Sequence, residues 1–119
     1  MLIDAEICGG NIHVVRKHNA YAELSLQHDN ASSLRQWFHF RVRHARGMNL
    51  ELAITNAGDA SYPHAFHHYR ALASYDLERW FRVDTQFDGR RLLLRHHPES
   101  DVVYYSYFGA YPLERQRAL

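Results

Sequence analysis

The stretch Gln36-Trp37-Phe38-His39-Phe40-Arg41-Val42-Arg43 constrains the fold more than any other part of the chain. Phe38, Phe40 and Val42 fall on one side of a two-residue period. Trp37, His39, Arg41 and Arg43 fall on the other. Alternation of aromatic and β-branched residues with polar ones marks a strand that buries one face. A helix would scatter the three apolar side chains around its circumference. The inward side offers two Phe and a Val to a core. The outward side sets a Trp among charged residues, a large apolar surface with no evident cover.

The same rhythm recurs between turn signals. Gly9-Gly10-Asn11 releases the short alternation Ile12-His13-Val14-Val15, and polar Arg16 to Asn19 follows. Tyr21 to Leu26 sets Leu24 and Leu26 on one face, before a loop at Asp29 to Ser33. The Gln36–Arg43 strand breaks at Ala45-Arg46-Gly47. Asn49 to Thr55 then points Leu50, Leu52 and Ile54 inward and stops at Asn56-Ala57-Gly58-Asp59. The irregular run from Ala60 to His68 reads as a functional loop or one packed under its own aromatics. Strands are expected over Tyr69–Tyr75 and Trp80–Val83, joined by a turn at Asp76–Arg79. Asp88-Gly89 is a hairpin signal into Leu92-Leu93-Leu94, and His97–Ser100 turns the chain into a last strand, Val102–Phe108. No convincing amphipathic helix interrupts. The pattern predicts an all-β chain, an antiparallel β-sandwich of about eight or nine short strands in a single domain.

With 119 residues the chain is long enough to bury a core without staples. Fourteen basic residues stand against 13 acidic ones, so no net field draws it to nucleic acid or anionic membrane, and neither is expected as a partner. Cys8 is the only cysteine, which rules out an internal disulfide and fits a reducing compartment. Met1 to Glu6 lacks the basic and apolar runs of a signal peptide, and no apolar stretch is long enough to span a bilayer. A cytoplasmic location is the expectation.

Ten histidines invite a metal hypothesis. Neighbours on a strand point to opposite faces, so His67-His68 and His96-His97 cannot each present two rings to one ion. No His/Cys spacing matches a zinc site. His96-His97-Pro98-Glu99 fits a literal His-x-x-Glu, but no His or Cys comes later in the chain to complete a ligand set. Neither Ser61, Ser74 nor Ser106 sits in a nucleophile elbow, and there is no Gly-rich phosphate loop. No catalytic, cofactor or metal residue is assigned. The remaining signal is aromatic surface with Arg at its rim, the composition of a protein contact or of a sugar platform.

Several stretches together resemble a known family. Gln36 to Val42, Asn56 to Pro63, Tyr69 to Asp76 with Trp80 to Val83, and the closing Tyr104 to Arg115 look like the N-terminal domain of cytosolic-carboxypeptidase-type zinc metallopeptidases. The resemblance runs from Gly10 to Arg115 with its motifs in order. It implies a β-sandwich packed against a carboxypeptidase A-like catalytic domain that carries the zinc ligands and the general base. None of those catalytic positions maps onto this sequence, so this chain alone is expected to hydrolyse nothing and to hold no cofactor. Zinc is expected in the catalytic domain of the parent.

On this reading residues 1–112 form the sandwich and 113–119 begin a linker or helix towards that domain. The expected role is an accessory one, packing on the catalytic domain to support its folding or to shape its substrate funnel. Trp37, His39, Arg41, Tyr62, Phe66 and Tyr69 are the candidate docking residues. The catalytic domain of the same parent chain is the expected partner, with self-association through the same face as a second possibility. The alternative is a freestanding sandwich that binds a ligand such as carbohydrate in a groove with coplanar aromatics.

Overall fold

The computed structural model describes residues 1–6, 11–26, 38–59, 66 and 69–107. Ten strands appear in order: β1 Leu2–Asp4, β2 His13–His18, β3 Tyr21–Ser25, β4 His39–Arg43, β5 Leu50–Ile54, β6 Leu72–Ser74, β7 Trp80–Arg82, β8 Asp84–Phe87, β9 Leu92–His96 and β10 Val102–Ser106. A single turn of 3₁₀ helix at Ala57–Asp59 comes after β5. The strands form two five-stranded sheets. One, here the A sheet, runs β1-β4-β10-β6-β7, and the other, the B sheet, runs β2-β3-β5-β9-β8.

The sheets close on each other because their alternating residues match. Phe38, Phe40, Val42, Ala73, Val103 and Tyr105 of the A sheet side meet Leu24, Leu50, Leu52, Ile54, Leu92 and Leu94 of the B sheet, all essentially without solvent exposure. This all-β sandwich is the predicted fold, with ten strands, β1 among them, where about eight or nine were expected, and with three further differences.

Pairing is antiparallel everywhere except between β3 and β5, which run parallel. That pair is parallel because β4 intervenes in sequence but lies in the opposite sheet. Second, β2 continues through Arg16, Lys17 and His18, where the sequence reads as a polar connection. It is an edge strand whose side chains are mostly exposed, so no apolar alternation marks it. A register shift between Val14 and Arg16, together with Lys17, blunts this edge. Third, the run from Trp80 onward is one path through both sheets. β7 ends at Arg82, buried Val83 crosses between sheets with its amide on the Ala71 carbonyl at 2.9 Å, and β8 begins at Asp84.

The turns obey local chemistry. The Asp88 carboxylate accepts the amides of Arg90 at 2.9 Å and Arg91 at 2.7 Å, and Gly89 takes a φ of +94° that a side chain would resist. The expected linker or helix at 113–119 lies outside the described residues.

Candidate functional site

The face of the A sheet turned away from the core carries His39 and Arg41 of β4. Arg41 does not project freely. It makes a two-point contact with Asp4, Nε to Oδ2 at 3.3 Å and Nη2 to Oδ1 at 3.0 Å, across the β1–β4 pairing. Arg43 adds a contact to the same carboxylate at 3.4 Å. His39 is only 8 % exposed. Its ring approaches that of Trp80, three strands away in the sheet, to 6.3 Å between centroids. The small residues Ser74 and Ser106 lie between them on the same face and are buried. Burial lowers the His39 pKa, and a hydrogen bond to the Tyr105 backbone partly offsets this. His39 Nδ1 and Trp80 Nε1 are both buried without a hydrogen-bond partner.

Phe66 and Tyr69 join an aromatic cluster at one end of the sandwich. Phe66 is 1 % exposed and its ring lies 5.5–5.9 Å from those of Phe87, Tyr107 and Tyr69. Its own domain therefore closes Phe66 off from any docking partner. Tyr69 packs on Tyr107 at 4.9 Å and donates its hydroxyl to the Tyr107 carbonyl at 3.0 Å. Burial pushes its phenol well above the ordinary value. Trp37 and Tyr62 lie outside the described residues.

The other half of the interior holds a polar chain. His96 Nδ1 is 2.8 Å from the Tyr105 hydroxyl and His96 Nε2 is 3.2 Å from the Tyr75 hydroxyl, which also accepts the Glu99 amide at 3.1 Å. A neutral imidazole offers one N–H and one acceptor. Tyr105 has no solvent exposure, so its O–H must find its acceptor inside, and His96 Nδ1 supplies it. The ring proton then sits on Nε2 and points at Tyr75, whose own hydrogen can reach water. Burial drives His96 down to about 4, reinforced by neighbouring His97. His97 itself bonds Asn49 at 2.8 Å. The His-x-x-Glu match thus dissolves into separate structural tasks. The signal for an inward-facing, half-buried His96 was present in the sequence: Leu92, Leu94 and His96 share one side of β9.

On the outer face of the B sheet a groove of about 610 Å³ is lined chiefly by Tyr21, Glu51, Gln86, Asp88, Arg91 and Leu93. Tyr21 donates to Glu23 at 2.8 Å and Arg16 pairs with Glu23 at 2.9 Å, so polar and charged side chains cross-link this face. Among the described residues no three His, Cys, Asp or Glu side chains are grouped to hold a metal ion. No helix among them is long and apolar enough to cross a membrane.

These features define a β-sandwich module whose polar side chains mostly serve its own walls and turns. A family model for the cytosolic carboxypeptidase N-terminal domain matches residues 3–108, and the chain belongs to that family. A metallo-carboxypeptidase from Burkholderia cenocepacia is similar at a TM-score of 0.91 and 39 % identity, over 98 % of this chain and 31 % of that one. A metallo-carboxypeptidase from Pseudomonas aeruginosa, solved with (2-guanidinoethylmercapto)succinic acid, is similar at a TM-score of 0.86 and 37 % identity, over 99 % of this chain and 33 % of that one. An uncharacterized protein of Zymomonas mobilis is 38 % identical over 117 residues, 98 % of this chain and 31 % of that protein. The chain spans about a third of the length of these relatives.

Proposed function

We propose that this chain is the non-catalytic N-terminal domain of a zinc metallo-carboxypeptidase of the cytoplasm. It packs against the peptidase domain of the same parent chain and supports that domain's folding or shapes its substrate funnel. One observation carries the reading: almost the whole chain superposes on 31 % of a metallo-carboxypeptidase, with a core that closes within that third. Zinc and the hydrolytic step then belong to the other two thirds. Within this chain the His96 and His97 rings are tied to Tyr105 and Asn49, while Glu99 gives its backbone amide to Tyr75.

The test is co-expression of this chain with the portion of the Burkholderia cenocepacia enzyme that lies outside the match. The chain alone should release no C-terminal amino acid from peptides. Supplied together, it should form a one-to-one complex and raise the soluble yield of the peptidase portion. An unchanged yield with no complex would sink the proposal.

A further inference from the structure

The outward faces of the two sheets differ in kind. On the B sheet the register sets Tyr21, Glu51, Arg95 and Asp84 side by side in one outward row, and Glu23 heads the next. Acids and bases alternate there. On the A sheet the middle outward row is Asp4, Arg41, Tyr104, Ser74 and Trp80. Leu2 and Val102 lie in the row on one side of it, and His39 and Leu72 in the row on the other. Asp4 is the one acid among the described strand positions of this face, and Arg41 and Arg43 already hold it.

The A face is also low and apolar. Ser74 and Ser106 are small, and above them the rings of His39 and Trp80 lean together to 6.3 Å. Their backbones stand three strand spacings apart, about 14 Å or more, so both side chains lie along the sheet. Tyr104, Leu72, Val102 and Trp80 are half-buried, and Leu2 is 43 % exposed. Arg41 and Arg43 border this surface on one side and Arg82 on the other. Aromatic residues and Arg are enriched in protein contacts, whereas Glu and Asp are depleted there.

From this contrast we infer that the outer face of the A sheet seats the catalytic domain of the parent chain, an inference that rests on the proposed function. The occupant follows from two observations. About two thirds of each metallo-carboxypeptidase relative lies outside the match, so a domain of this family has a large neighbour in its own polypeptide. Three Arg against one Asp leave the face basic, and its complement is an apolar centre with an acidic border. A second copy of this chain would instead set one basic border against another.

Two double variants at exposed positions separate the faces. Leu2→Glu with Arg82→Glu alters the A face, and Glu51→Arg with Arg95→Glu exchanges a cross-strand pair on the B face. In the co-expressed complex the A-face pair should weaken binding at least about tenfold, and the B-face pair less than about twofold. Melting of each variant chain alone shows whether it still folds. If the A-face pair lowers that melting point, or if both pairs weaken binding, hydroxyl-radical footprinting of the unaltered complex decides. Labelling lost at Leu2 and Tyr104 supports the inference, and labelling unchanged there overturns it. A folded A-face variant that binds at full strength overturns the inference while the proposed function stands. A dimer of the chain alone that the A-face pair disperses gives the face to a second copy and overturns it too. Failure of the unaltered chain to bind overturns both.

Discussion

The same two sheets are joined in two physically different ways at the two halves of the interior. Around Phe66 the join is dispersion and hydrocarbon burial, with rings 5.5–5.9 Å apart. Around His96 it is a chain of hydrogen bonds through two tyrosines, satisfied only while the imidazole stays neutral. The first join is indifferent to pH and sits at the end where β8 finishes and β10 runs on to Tyr107. The second is sensitive to acid and sits by the short turns. Hydrogen-bonded cores impose a geometry, whereas aromatic ones supply the larger free energy per residue.

The sharpest break of this contrast is Phe66→Ala, expected to cost about 3–5 kcal/mol in urea unfolding with no pH dependence of its own. A cost under about 1 kcal/mol would show that the cluster does not bear on stability. Next comes acid. The unfolded chain takes up a proton on His96 near the ordinary 6.5, the folded chain only near 4, so the unfolded state gains as pH falls between them. Stability is therefore complete above about pH 6.5 and declines towards pH 4, by up to about 3 kcal/mol at 1.36 kcal/mol per unit, less because the ring is partly exposed. His39, also lowered by burial, adds in the same direction. His96→Gln should flatten most of that slope, and an unchanged slope would assign it elsewhere.

Gly58→Ala probes the close approach of the turn after β5 to the β8–β9 hairpin. A Cβ there would lie 2.6 Å from the Gly89 carbonyl oxygen and 2.9 Å from Arg90 Cα, both backbone, so a loss of about 1–3 kcal/mol is expected in thermal unfolding. Tyr69→Phe keeps the ring and deletes its bond to Tyr107, for about 1 kcal/mol and faster exchange of the Tyr107 amide. The smallest effect belongs to Arg16→Ala on the charged outer face of the B sheet. Its exposed pair with Glu23 is worth under about 0.5 kcal/mol and should vanish in high salt.

Much of the sandwich was readable wherever burial was one-sided. Phe38, Phe40 and Val42, and Leu50, Leu52 and Ile54, all face the core as their alternation requires. Asp88-Gly89 makes its hairpin. Edge strands escaped because water on both faces leaves no period to read, as at Arg16 to His18. β8 escaped for a related reason: Asp84 and Gln86 alternate with only Thr85 and Phe87, a weak apolar signal. The β3–β5 register is set by β4 leaving for the other sheet, which no local pattern records.

The surface residues were the least legible. Alternation correctly turned His39 away from the core. It could not show that the Trp80 ring lies against it from three strands away. Likewise nothing near Arg41 announces Asp4, 37 residues distant, as its partner. Trp37 and Tyr62, lying outside the described residues, are not placed by the structure.

The position of β10 has a further consequence. It is the last strand among the described residues, yet it lies in the middle of the A sheet, hydrogen-bonded to β4 on one side and β6 on the other. During synthesis from the N-terminus, β1 with β4 and β6 with β7 can exist only as two unjoined ribbons until about residue 106 has emerged, and isolated two-stranded ribbons are marginal in water. Such a keystone strand defers closure of the A sheet until nearly all of the described residues have been made. The sandwich then closes in one late step rather than growing sheet by sheet along the chain.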